Sequence, residues 1–146
     1  MAERPAQEAA PARSGESVRR WARLRGRSAL VVVGSLASAA ARDFADRVKE
    51  GDALPLPCDA HDPRQADVLV VVGRVSHKLA PHLVSLRQLL KADARVIAFD
   101  DDDDDVYAVA RADAVVDVDV LVRGLPPDEG TVHRALDALF APRGDR

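Results

Sequence analysis

Asp67–Gly73 reads DVLVVVG, five uninterrupted aliphatic residues between an aspartate and a glycine. A run of that length with no polar alternate suits a strand covered on both faces, as in parallel sheets flanked by helices. Working outward, Ser28–Val33 (SALVVV) and Ala94–Phe99 (ARVIAF) have the same character, and Ala114–Val122 contains a fourth strand. Helical patterns lie between them. Ser38–Lys49 (SAAARDFADRVK) places Phe44 and Val48 inward. Pro81 opens a second helix at a first-turn position, where its missing N–H costs nothing. Leu83, Leu86, Leu89 and Leu90 are read as the apolar stripe of that helix. Pro127–Phe140 closes with Val132, Leu136, Leu139 and Phe140 inward, and residues 106–112 make at most two helical turns. Gly51 and the Pro55/Pro57 pair break the chain after the first helix. Strands alternating with helices predict an α/β domain: a right-handedly wound, four-stranded parallel sheet with helices on both faces.

The chain has 146 residues, 47% of them hydrophobic, which is enough for one domain and its core and too little for two. Twenty valines and fifteen leucines against five aromatic residues make that core aliphatic. Residues 1–15 (MAERPAQEAAPARSG) lack apolar periodicity and are read as a disordered tail, leaving residues 16–142 for the domain. Ser17–Gly26 could form a short amphipathic helix with Val18, Trp21 and Leu24 on one face. Neither a secretory h-region nor an apolar run near the roughly 20 residues that span a bilayer is present, so a cytoplasmic location without membrane insertion is expected. A net charge of −3 gives no reason to expect nucleic acid. That charge is unevenly spread: residues 1–27 hold seven Arg against three Glu, and residues 98–120 nine Asp against one Arg.

In a parallel sheet ligands bind beyond the carboxyl ends of the strands, so loops 34–38, 73–81, 100–105 and 123–127 are the places to look. The first has neither G-x-G-x-x-G nor Gly-Lys-Ser/Thr, and its Ser38 reads as a helix cap. The second, GRVSHKLAP, gathers Arg74, Ser76, His77 and Lys78 within five residues. Arg74 and Lys78 could hold an anion, or the loop could be simply solvated with Ser76 capping the helix. The third is six consecutive aspartates, Asp100–Asp105, read as a solvated acidic loop because neighbouring carboxylates repel and point apart. Cys58, the one cysteine, excludes an internal disulfide and has no histidine partner at a telling spacing. His61, His82 and His133 form no metal spacing, and no nucleophile elbow is present. The residues show no catalytic site.

Three stretches carry a family resemblance. ADVLVVVGRVSHKLAPHLVSLRQLL (Ala66–Leu90) resembles the strand and G-T-hydrophobic-T-x-K-M-A-P loop of the family of the 20 kDa subunit of NADH:quinone oxidoreductase. Nickel–iron hydrogenase small subunits are relatives of that family. Gly73, Lys78, Ala80 and Pro81 match the motif, with Ser76 for Thr and Leu79 for Met. Asp117–Leu136 resembles the family's V-D-V-x-V-P-G-C-P-P segment and the helix after it. Trp21–Arg23 with SALVVVGSLASAA resembles its W-A-R helix, first strand and G-L-A-C-C turn. The resemblance covers roughly residues 17–140 and implies a flavodoxin-like three-layer fold.

The family binds a [4Fe–4S] cluster through four cysteines, and the resemblance places those positions at Ser38, Ala39, Asp102 and Leu125. No thiolate is present at any of them, so no cluster is expected. The leading expectation is a cluster-less homologue, a non-catalytic interaction or accessory subunit of an oxidoreductase- or hydrogenase-type complex. Its partner would be the large subunit, and its location peripheral to the membrane through that complex. Arg74, Ser76, His77, Lys78 and Pro81 are the expected interaction loop. The alternatives are an electron-transfer subunit using a cluster held elsewhere, and a free-standing small-molecule binder.

Overall fold

The computed structural model describes residues 27–34, 38–101 and 109–141. The tail at 1–15, the helix expected at 17–26 and most of the aspartate run lie outside them. Strands β1 (Ala29–Val33), β2 (Val68–Val72), β4 (Arg95–Asp100) and β6 (Val120–Arg123) form a four-stranded sheet in that spatial order, every pairing parallel. Helices α1 (Ala39–Lys49), α2 (Ala80–Leu89) and α3 (Glu129–Leu139) pack on it. The three-layer α/β domain expected from the sequence is therefore the fold.

Side-chain alternation along the strands divides the core in two. Val68, Val70 and Val72 of β2 and Ile97 and Phe99 of β4 face α1 and α3, meeting Phe44, Val48, Leu136 and Leu139. The ring of Phe44 lies 4.8 Å from that of Phe99. Leu69, Val71, Val96 and Ala98 face the other way, toward Leu83 and Leu90. All five residues of β2 are inaccessible to solvent, as its unbroken apolar run requires.

Helices α1 and α2 lie on opposite faces although β1, β2 and β4 follow one another across the sheet, and the long connection 50–67 explains this. Leu54 and Leu56 enter the α1 side of the core. The Pro57 carbonyl accepts from the amide of Ala29, and the amide of Ala60 donates to the carbonyl of Ala29, so the chain passes round the outside of β1. Ala60 and Ala66 then join the α2 side, where the 3-10 turn Pro63–Gln65 packs on α2. The winding reverses between β1 and β2, which makes their carboxyl ends the switch point of the sheet.

Polar side chains finish the amino ends of the strands. Asp67, just before β2, accepts from the Ser28 amide (2.8 Å) and holds Lys91 at 2.9 Å. Burial pulls its carboxyl upward, but Lys91 and the Ser28 N–H outweigh that and hold it below the ordinary carboxylate value. Asp119, just before β6, does the same for the Val96 amide at 2.8 Å. Arg95 reaches from the start of β4 to the carbonyls of Leu139 and Ala141 at the end of α3. Phe140 is only half-buried, packed against the core with the Arg27 guanidinium 4.6 Å above its ring.

Three expectations are corrected. Val109–Ala110, read as helical turns, is a strand, β5, paired antiparallel with a two-residue strand β3 (Val75–Ser76) inside the second loop. Among the described residues there, Ala112–Ala114 turns, as a 3-10 helix. Leu89 is 40% exposed rather than inward, because Leu83 and Leu90 define the buried face of α2 and Leu89 lies one helical step, about 100°, away. The acidic run is not wholly solvated: Asp100 completes β4 and is buried.

Val70 sits at the centre of β2 between two strands and two faces. Val70→Asp is expected to abolish cooperative thermal unfolding by circular dichroism. An unpaired buried carboxylate costs several kcal/mol against a total of roughly 5–15, so a retained transition near the wild-type temperature would contradict the burial.

Candidate functional site

The carboxyl ends of β1, β2, β4 and β6 share one end of the sheet, and among the described residues Ser38, Ala39, Arg74, Ser76, His77, Lys78, Pro81 and Leu125 follow those strand ends. After β1, the amide of Gly34 donates to the Val72 carbonyl at 2.8 Å and brings the two backbones together. A Cβ on Gly34 would fall 1.9 Å from the carbonyl oxygen of Arg74. Glycine is required here for close approach, with nothing to spare for a side chain. Ser38 then caps α1, its Oγ accepting from the Ala41 amide at 3.1 Å, as the sequence predicts. Ala39, the first helical residue, is exposed.

After β2, Gly73 turns the chain with φ +87°, and its amide donates to the Phe99 carbonyl. The loop then divides its residues. Arg74 points inward: its Nε lies 2.6 Å from Oδ1 of Asp100 and its Nη2 donates to Oδ2 at 3.1 Å. The two side chains are 12% and 2% exposed, so this is a buried, two-point ion pair between the ends of β2 and β4. Ser76 is also buried, and its Oγ accepts from the Leu79 amide at 3.1 Å. It closes the turn before α2 rather than the helix itself, whose cap position is Leu79 with no side-chain bond. Pro81 lies in the first turn of α2 as expected. His77, Lys78, Pro81 and His82 are exposed. Of the expected interaction loop, His77, Lys78 and Pro81 face solvent, while Arg74 and Ser76 belong to the interior.

After β4 the acidic run begins, with Asp101 half-buried; Asp102 falls outside the described residues. After β6, Gly124 turns with φ +94°, its amide donating to the Asp100 carbonyl. Leu125 is half-buried against the α1/α3 side of the core. Ser38, Ala39 and Leu125 thus stand on the expected loops, but an alcohol engaged in capping and two hydrocarbon side chains offer an iron–sulfur cluster no thiolate. Cys58 cannot replace them. It lies at the opposite end of the sheet, its Sγ donating to the carbonyls of Val48 (3.2 Å) and Leu56 (3.4 Å). Burial, and then the neighbouring charge of Asp59, push its thiol upward, away from the thiolate that binds metal. None of the described residues at these positions offers a sulfur donor. Among the described residues no three His, Cys, Asp or Glu side chains gather as a metal site.

Sequence reasoning missed Asp100 and Gly34. Asp100 was hidden inside a run of identical letters, although the length of β4 could have shown that its first aspartate belongs to the sheet. Gly34 carried the ordinary signal of a strand end and nothing of its contact with Arg74.

The chain is 38% identical over 85 residues to a B-type subunit of NADH-quinone oxidoreductase from Salinispora tropica, covering 53% of this chain and 45% of that protein. Identity is 41% over 71 residues to the protein of the same name from Herpetosiphon aurantiacus, covering 44% and 40%. It is 34% over 91 residues to the K-type subunit of NAD(P)H-quinone oxidoreductase from Synechococcus sp. strain RCC307, covering 57% and 38%. The aligned stretch spans less than half the length of each of these relatives. No family model matches the chain. Among solved structures, a chain of the membrane-bound sulfane sulfur reductase, an archaeal respiratory membrane complex, superimposes with a TM-score of 0.56. That match covers 85% of this chain and 73% of the other at 19% identity, and it establishes a shared fold. The expected kinship with the 20 kDa, B-type subunit of NADH-quinone oxidoreductase is borne out over about half the chain.

Gly34→Ala tests the close approach at this end of the sheet. Overpacking costs at least about 1–3 kcal/mol, which corresponds to a fall in Tm of roughly 3–10 °C. An unchanged Tm would mean that residues 73–74 yield freely.

Proposed function

We propose, from the kinship with the 20 kDa subunit of NADH-quinone oxidoreductase, that this chain is a cluster-less, non-catalytic accessory subunit of an oxidoreductase- or hydrogenase-type complex. The observation that supports this reading is the division within the loop after β2. The motif residues Gly73, Lys78, Ala80 and Pro81 remain on a built turn. Lys78 and its neighbour His77 are exposed there, while the loops that would hold a cluster carry no sulfur donor. A surface is kept where the means of electron transfer is lost.

In this reading the exposed residues His77, Lys78 and Pro81 contact the large subunit, and Arg74 and Ser76 hold the loop in shape from below. The chain would reach the membrane surface through that partner. No helix of the described residues is long and apolar enough to cross a membrane.

Tagged chain purified anaerobically from its native cells is expected to bring a large subunit of this type at near-equal stoichiometry, and Lys78→Glu to reduce the yield of that partner. Recovery of the chain alone would overturn the proposal. Restoring cysteine by Ser38→Cys, Ala39→Cys, Asp102→Cys and Leu125→Cys together is expected not to rebuild a cluster, since the connection after β4 is a run of mutually repelling aspartates. Iron and sulfide bound at cluster stoichiometry would show that the loops retain the old geometry.

A further inference from the structure

Helix α2 differs from its two companions in what it shows to solvent. The exposed residues of α1 after Ala41 are Arg42, Asp43, Asp46, Arg47 and Lys49, and those of α3 include Glu129, Arg134 and Asp137. On α2 the exposed residues are Pro81, His82, Val84, Ser85, Gln88 and Leu89, with no carboxylate, ammonium or guanidinium among them; Arg87 is half-buried. Val84 and Leu89 are the exposed large apolar side chains among the described residues, and both belong to this helix. At about 100° per residue, Pro81, Ser85 and Gln88 point away from the face buried through Leu83 and Leu90. Val84 lies on one flank of that outward line, His82 and Leu89 on the other. A solvated helix carries charge on such a face, whereas the core of an interface is depleted of it.

The charges stand at the two ends instead. Lys78 is exposed just before α2 and Asp93 is exposed in the turn after it. Among the described residues neither side chain has an ion-pair or hydrogen-bond partner, while Lys91 beside them is engaged by Asp67. Lys78 lies seven positions before Ser85 and Asp93 eight after it. A second copy laid antiparallel across α2, with a two-fold axis near Ser85, therefore sets Lys78 of each chain beside Asp93 of the other. A parallel copy would set like charges together.

We propose that the free chain associates with a second copy of itself through α2, the helices antiparallel about Ser85 and the Lys78 and Asp93 charges of the two chains paired at each end. The small side chain of Ser85 lets the helices approach at the axis, and Val84, Gln88 and Leu89 close around it. A contact of this kind uses the same patch on both chains, so assembly stops at two. Ten residues of helix are about 15 Å long, which places the contact in the small, reversible class rather than the obligate one. Lys78 and Pro81 also belong to the loop assigned above to a large subunit; the pairing concerns the chain without that partner and does not rest on that reading.

Sedimentation equilibrium of the full chain at low salt, over about 10–500 µM, tests it, with a reversible monomer–dimer equilibrium as the expected result. Ser85→Lys brings two ammonium groups together at the axis and is expected to weaken the dimer by about tenfold or more, with the thermal transition by circular dichroism unchanged. Should that variant fail to fold, Gln88→Lys carries the same charge onto the same outward line. Lys78→Asp and Asp93→Lys are each expected to weaken association by about three- to tenfold, and the two together to restore it. A monomer at every concentration, growth beyond dimers, a dimer indifferent to the added lysine, or a double variant no tighter than the single ones would each overturn the pairing.

Discussion

Val68 through Val72 pair with β1 on one side and β4 on the other, and neither face of that strand touches water. Every other element answers to this requirement. Covering one face takes α1 and α3; covering the other takes α2 and the 112–116 turn. Covering both from a single chain obliges the connection after α1 to travel round β1 and come back on the opposite side. The position of the switch point, and with it the loops that carry the retained motif, therefore follows from burying one aliphatic strand.

At the carboxyl end of the sheet the same economy of space operates with polar groups. Gly34 lets the β1 and β2 backbones touch, and the Arg74 side chain turns away from solvent to meet Asp100. Among the described residues, backbone contact and an internal ion pair therefore occupy the ends of β1, β2 and β4. Exposed polar side chains among the described residues near this end include His77, Lys78, His82 and Arg123.

Much of the fold was legible because long aliphatic runs have few alternatives. DVLVVVG and ARVIAF suited strands buried on both faces, and Phe44, Val48, Leu136 and Leu139 fell inward at helical spacing. What escaped reading was short or masked by its neighbours. Two residues are too few for β3 or β5 to show a period. Leu54 and Leu56 are core residues, yet they sit among prolines that announce a loop. At the candidate site, Ser38 as a cap and Pro81 at a helix start followed from local chemistry. The inward turn of Arg74 did not, since its partner is 26 positions away and looked like one more solvated aspartate.

The pairing of Asp67 with Ser28 and of Asp119 with Val96 has a consequence beyond satisfying two amides. Strands spelled ALVVV and VLVVV are nearly degenerate: sliding one past the other by two residues keeps every side chain on its proper face and exchanges one valine for the next. The aliphatic letters cannot tell the true alignment from its neighbour. A carboxylate that finds a particular amide at one end, and a guanidinium that finds a particular carboxylate at the other, can. The information that selects one alignment among equivalents resides in a handful of charged residues at the two rims, while the valines supply cohesion without choosing.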